Sequence, residues 1–227
     1  MKNFIESILY DDKHLLAVIK PFGVLTQGDL RGGLSVFDAA RDYIGEKHRT
    51  LDGPNDCYLS LLHRLDRPVG GVILFAKTPA AAKRLSEAFR EREVKKTYLA
   101  RIEGAVDPPS GELSHSLLKS GAKVSVVPEG APGSKKALLF YRTLRNTGGD
   151  GESLIEIDLI TGRRHQIRAQ LSAVGHPVRG DIKYNSKNKF IPGGIALFSK
   201  SLTFAHPVTG EEMTITADPP EEFFIDF

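Results

Sequence analysis

The feature that most limits how this chain can fold is its run of short apolar segments broken by turn-forming residues, with few helical stretches between them. Residues 7–20 read as two strands around a turn at Asp11-Asp12. The second ends at Lys20-Pro21-Phe22-Gly23, because proline removes a backbone donor and glycine permits a turn. Short strands are expected at 58–62, 72–76, 97–102, 123–127 and 137–144, and two more at 195–216 around His206-Pro207-Val208-Thr209-Gly210. Residues 154–160 alternate, with Ile155, Ile157 and Leu159 facing one way as in a half-buried strand. Helices are expected at 36–47 after a Ser35 cap, from Thr78-Pro79 to about Arg92, and at 163–174 ending at Gly175. Many strands with few intervening helices argue against a regular βαβ fold. They predict an α+β protein with a large, mostly antiparallel mixed sheet and flanking helices.

The 227 residues suffice to bury a real core, and the expectation is a single domain over 1–227. No apolar run approaches the roughly 18–20 residues that span a bilayer, so no membrane association is expected. No signal peptide is read in the first ten residues. The single cysteine, Cys57, excludes an intrachain disulfide framework and fits a reducing compartment, so the chain is expected in the cytoplasm. Nothing adjacent activates Cys57 as a nucleophile. His63, His115, His165, His176 and His206 are scattered without zinc-type spacing, so no metal site is expected. A formal charge of +3 permits a polyanionic partner without requiring one. Basic residues gather at Lys83, Arg84, Arg90, Arg92, Lys95, Lys96 and Arg101, and again at Arg163, Arg164 and Arg168. Taken singly, each reads as part of a solvated helix face.

Chemistry concentrates in the polar loop His63-Arg64-Leu65-Asp66-Arg67-Pro68-Val69-Gly70-Gly71, held between two apolar strands. The strands give a rigid base to a charged loop, and the paired glycines allow close approach of a ligand or another backbone. On these residues alone, an Asp–Arg pair inside a structural turn explains the loop equally well. In the third helix Ile167, Leu171 and Val174 form the core stripe, Arg164 and Arg168 share a face, and Arg168 reaches inward at the helix edge. A buried arginine needs an acidic partner or a phosphate, and Asp66 is the partner expected.

His63-Arg64-Leu65-Asp66, followed by Gly71 and Ala76-Lys77, resembles the active-site motif of the RluA-type pseudouridine synthases. Lys20-Pro21-Phe22-Gly23 resembles that family's first motif, and Lys96-Thr97-Tyr98-Leu99-Ala100 with Gly104 resembles its tyrosine motif. Thr161-Gly162-Arg163-Arg164-His165-Gln166-Ile167-Arg168, then Gly175-His176-Pro177 and Gly180-Asp181, resembles its arginine motif. The resemblance runs from about residue 9 to 217. One departure stands out: Val69-Gly70-Gly71 replaces the family's common Thr-Ser-Gly, which removes two hydroxyls.

The resemblance implies a cofactor-free isomerisation of uridine to pseudouridine in ribosomal or transfer RNA, with the target base extruded into a pocket. It implies Asp66 as the essential carboxylate, Tyr98 as the ring that stacks on the target base, and Arg168 as the partner of Asp66. Whether the carboxylate attacks the base or the ribose, or assists glycal formation, stays open; each role needs an ionised, positioned carboxylate. It further implies RNA contacts from His63, Arg64, Arg163, Arg164, Lys95 and Lys96. No S4-type domain at the N-terminus and no obligate protein partner are expected, and the default oligomeric state is a monomer. Two other readings are an RNA-binding module without catalysis and an enzyme acting on a small nucleoside. A pure binder gains nothing from a carboxylate facing phosphates, which disfavours the first. The basic clusters weigh against the second.

Overall fold

In a computed structural model of the protein, residues 6–28, 35–49, 58–147, 151–224 and 227 are described. The sequence reads a polar loop at 50–57 and a turn at Gly148-Gly149-Asp150-Gly151; Cys57, that loop and residues 148–150 lie outside the described residues. The chain forms two compact units, Met1–Val94 with Ser201–Asp218, and Lys95–Lys200 with Pro219–Phe227.

In the first unit β1 (Ile8–Asp11) pairs with β2 (Leu15–Lys20), which pairs with β4 (Gly70–Ala76); β3 (Ser60–Leu61) also pairs with β4. The turn between β1 and β2 forms because the Asp12 carboxylate accepts the backbone N–H groups of His14 and Leu15 at 2.7 and 2.6 Å. All seven residues of β4 are buried, as expected of a continuous Gly-Gly-Val-Ile-Leu-Phe-Ala run covered on both faces. Helix α1 (Val36–Arg49) starts at a capping box: Ser35 Oγ accepts the Asp38 N–H at 3.2 Å, and the Asp38 carboxylate accepts the Ser35 N–H and hydroxyl. Helix α2 (Pro79–Glu91) is capped by the Thr78 hydroxyl, with proline at its first position, and packs on β3 and β4.

In the second unit β5 (Lys95–Glu103), β9 (Glu152–Leu159), β8 (Lys135–Asn146), β6 (Ser110–Ser120) and β7 (Lys123–Val127) pair in that order, each antiparallel to its neighbours. Ile155, Ile157 and Leu159 lie on the buried face of β9, as their alternation predicts. Helix α3 (Gln166–Ala173) packs on β6 and β7. Strand β10 (Leu197–Ala205) runs from the second unit into the first, where its end pairs with β11 (Glu212–Thr216). Every strand pair with a described register is antiparallel, which establishes the α+β class read from the sequence.

Two departures from the sequence reading have clear causes. Strand β6, eleven residues long, was not expected. Its serines, lysine and glycine obscure a short apolar set, and only Leu113 and Leu117 are buried along it. Arg101 is not part of a solvated basic face. It is 1% exposed, its guanidinium bonds Glu152 at 2.7 and 3.0 Å, and it also donates to the Phe223 carbonyl. Glu152 takes Arg179 as a second partner. Removing one member of a buried ion pair leaves the other charge uncompensated, at a cost of about 3–5 kcal/mol. Arg101→Ala should therefore lower the free energy of unfolding, read from urea denaturation, by an amount in that range; a loss below about 1 kcal/mol would show that Glu152 is satisfied by Arg179 alone.

Candidate active site

The Asp66 loop is fixed from beneath. The Thr26 hydroxyl donates to the Leu65 carbonyl at 2.8 Å and accepts the Leu65 N–H at 3.2 Å, so one side chain satisfies both backbone groups of the buried neighbour of Asp66. The Val69 N–H closes a turn onto the Asp66 carbonyl at 3.0 Å, and the Arg67 guanidinium donates to the Gly23 carbonyl at 2.9 Å. Leu65 and Val69 point into the core, Asp66 is half-buried between them, and Arg64 and Arg67 are exposed. His63 sits at the base of the loop. Its Nε2 accepts the Leu74 N–H at 3.1 Å and its ring stacks on Phe89 at 5.1 Å between centroids, which fixes the proton of the neutral ring on Nδ1.

The replacement of Thr-Ser-Gly by Val69-Gly70-Gly71 has a packing explanation. A Cβ at position 70 would lie 3.0–3.1 Å from the Phe22 ring, tighter than ordinary van der Waals contact, so this ring fills the space a side chain at 70 would take. Val69 is buried, and Gly71 has φ +116°, a conformation that side chains other than hydrogen adopt at a cost.

Lys20 is a buried cation of this unit. It is 0% exposed, and its ammonium donates to the carbonyls of Pro21, Val24 and Arg67 at 2.9, 2.7 and 3.1 Å. Burial pushes its pKa from 10.5 down to about 7; the Asp66 carboxylate works in the opposite direction and Arg67 in the same one. The lysine of the first motif therefore ties the turn at 20–24 to the residue after Asp66 and feels the charge of that carboxylate. The sequence placed these segments 46 residues apart without a reason to join them.

The arginine motif lies in the second unit. Helix α3 starts at Gln166, three residues later than expected, because Gln166 Oε1 accepts the Thr161 hydroxyl at 2.7 Å and the Arg163 N–H at 3.0 Å and so holds residues 161–165 as a lead-in. Arg164 precedes the helix and is exposed, so it does not share a helical face with Arg168 as expected. His165 adopts φ +50°, a left-handed conformation uncommon for a residue with a side chain, and its Nδ1 lies 2.8 Å from the Tyr184 hydroxyl. Arg163 donates to the Lys136 carbonyl at 3.1 Å. Lys96, on β5, has its ammonium 3.9 Å from the place a Cβ on Gly162 would occupy, which brings the start of the tyrosine motif beside the arginine motif. Tyr98 is buried on β5 opposite Ile157 of β9.

Arg168 is 5% exposed and forks onto Asp181, with Nε and Nη2 at 2.6 and 2.9 Å from its two carboxylate oxygens. The Tyr184 ring covers the guanidinium at 5.0 Å. Asp181 is thus a partner that the sequence reading did not name, although it had marked Gly180-Asp181 as part of the motif.

The comparisons with known proteins agree with this architecture. The family model for RNA pseudouridylate synthase matches residues 14–173. Over 220 residues, which is 96% of this chain and 70% of the other, the protein is 30% identical to "Ribosomal large subunit pseudouridine synthase C" of Rickettsia bellii. It is 31% identical to "Dual-specificity RNA pseudouridine synthase RluA" of Haemophilus influenzae over 216 residues, covering 92% of this chain and 91% of that one. Among solved structures, human RNA pseudouridylate synthase domain containing 4 superimposes with a TM-score of 0.79 at 25% identity, covering 98% of this chain and 92% of that one. The chain belongs to the RNA pseudouridylate synthase family, within its RluA-type branch. It is an RNA uridine isomerase, a class whose chemistry needs no cofactor.

Two measurements follow from the buried cations. Between pH 7 and 10.5 the unfolded chain holds a proton on Lys20 that the folded chain has released, so this group's contribution to stability rises with pH across that window. Urea midpoints of the wild type, measured against Lys20→Met at pH 7, 8 and 9, should show the wild type gaining on the variant; a constant gap would mean the ammonium stays protonated inside. Arg168→Ala strands Asp181, which is 1% exposed, and should cost about 3–5 kcal/mol in the same assay.

Proposed function

We propose that Asp66 is the essential carboxylate of the isomerisation, that Arg168 is its partner arginine, and that Tyr98 supplies the ring for the target base. The observation that carries this reading is the loop itself. Leu65 and Val69 anchor it in the core, Thr26 satisfies the backbone beside Asp66, and the carboxylate is left half-buried next to exposed Arg64. A side chain held this way loses little entropy when it meets a reacting base, which is what a positioned carboxylate requires. Either attack on the base or ribose, or assistance to glycal formation, uses the same ionised group.

Arg64, Arg163, Arg164, Lys95 and Lys96 form the proposed contacts to RNA, with His63 holding the loop that carries Arg64. The substrate class is a uridine in ribosomal or transfer RNA, the two kinds named for the relatives "Ribosomal large subunit pseudouridine synthase C" and "tRNA pseudouridine synthase C". The protein would act on RNA as a monomer in the cytoplasm. Among the described residues no helix is long and apolar enough to cross a membrane.

RNA from cells lacking the enzyme, incubated with purified protein and mapped for pseudouridine by position, tests this directly. Wild type should introduce pseudouridine at defined sites. Asp66→Asn should abolish turnover while RNA affinity stays within a few fold; retained turnover would remove Asp66 from the mechanism. RNA bound without any new pseudouridine would move the reading to a binding module. Affinity should fall with salt, with a log–log slope of roughly −0.7 per phosphate contacted on a single strand.

A further inference from the structure

A second basic surface lies in the second unit, beside the lead-in that carries Arg163 and Arg164, and one residue on it is out of place. Ile182 is 74% exposed, the most exposed of the large hydrophobic residues described. A single exposed aliphatic residue is ordinary on a protein surface. Here it sits on a turn that is held rigidly on every side. The 3-10 turn Ile182–Tyr184 follows Asp181, whose carboxylate is locked by Arg168. The Tyr184 hydroxyl accepts the Val124 N–H at 3.0 Å, and the Tyr184 carbonyl accepts the Ser172 hydroxyl at 2.7 Å. Beyond the turn, Glu103 Oε1 accepts the Ser186 hydroxyl and the N–H groups of Lys187 and Asn188 at 2.7, 2.9 and 3.0 Å. Ile182 is therefore presented by a built scaffold.

The exposed charge carried by the two segments beside it has one sign. Residues 182–189 carry Lys183, Lys187 and Lys189 and no carboxylate. Residues 114–128, which include the β6–β7 tip, carry Lys119 and Lys123 and no carboxylate. The two segments touch: Lys183 donates to the Ala122 carbonyl at the hairpin tip, and the Lys123 ammonium lies 5.6 Å over the Tyr184 ring. All five lysines are exposed. His165 reaches the same Tyr184 hydroxyl, so the patch is continuous with the lead-in that carries Arg163 and Arg164. Two carboxylates lie beside this segment: Asp181 is buried and committed to Arg168, and Glu103 is half-buried and accepts the Ser186 hydroxyl and the Lys187 and Asn188 N–H groups.

We propose that the turn Ile182–Tyr184 and the β6–β7 tip form a docking site for a segment of the substrate RNA other than the target uridine. Lys123 and Lys183 take backbone phosphates, and Ile182 packs against the face of an unstacked base. This rests on the enzymatic reading for its substrate. The occupant follows from charge: a cluster of exposed lysines with no exposed carboxylate among them attracts a polyanion, and an apolar side chain among them offers a contact that base faces accept whatever their sequence. Phosphate contacts set register, so this site would help choose which uridine reaches Asp66.

The test uses the full chain and unmodified transcripts of large-subunit ribosomal RNA and of tRNA. Filter binding reads affinity over a range of salt, and pseudouridine formation on the same transcripts reads kcat and KM. Lys123→Glu with Lys183→Glu should weaken binding and reduce the magnitude of the salt slope by roughly 1.4, two phosphates' worth on a single strand. Ile182→Ser should weaken binding about tenfold, the value of burying most of one aliphatic side chain, with the loss in KM and the salt slope retained. Wild-type affinity and slope in both variants would overturn the docking site and return this face to a protein partner. Binding is read independently of turnover. A wild-type chain that binds RNA but forms no pseudouridine would overturn the enzymatic reading while the variants still decide this one.

Discussion

A charge taken out of water has to be matched inside the protein, and each unit is arranged around that requirement. In the first unit Lys20 is enclosed by three carbonyls, and those carbonyls belong to the turn after β2 and to the loop that carries Asp66. In the second, Arg101 is matched by Glu152, and Arg168 by Asp181. Replacing such pairs by apolar residues is frequently neutral for stability, so their retention is better explained by what they position. Lys20 fixes two loops against each other beside a carboxylate. The Arg168–Asp181 fork fixes the helix of the arginine motif to the turn that ends in Tyr184.

Tyr184 shows how far one position can reach. Its ring covers Arg168 and lies under Lys123, its hydroxyl meets His165 and the Val124 N–H, and its carbonyl holds Ser172. Through it, the helix carrying Arg168, the β6–β7 hairpin and the lysine-rich turn form one connected cluster. A basic surface able to meet RNA and the arginine expected to serve catalysis thus share a structural support. The same residue lies outside the motifs read from the sequence, because nothing about an isolated tyrosine after Asp181-Ile182-Lys183 signals five partners.

The family's departure at Val69-Gly70 illustrates a related point. Read alone, the motif shows only that two hydroxyls and any hydrogen bonds they would make are missing. The Phe22 ring against Gly70 shows instead a local repacking between the first motif and the active-site motif, in which an aromatic ring fills the space of a side chain. The buried Val69 beside it belongs to the core.

Much of the fold was legible in the sequence because its signals are local. Alternation in β9, the Thr78-Pro79 cap of α2, the Ser35 cap of α1 and the Asp12 turn depend on residues within a few positions of one another, so periodicity and capping chemistry reveal them. Strand β6 was hidden because its serines and its lysine dilute the alternation, and its pairing with β8 across the turn residues is what makes it a strand. The site residues were legible as ordered motifs that together resemble one family. What joins them was not. That Lys20 reaches the loop of Asp66, that Arg101 is a core residue and not a surface cation, and that Arg168 takes Asp181 follow from pairing requirements between residues 13 to 51 positions apart. A sequence states which residues carry charge; only the tertiary structure, by removing water from some of them, decides which must find a partner and where.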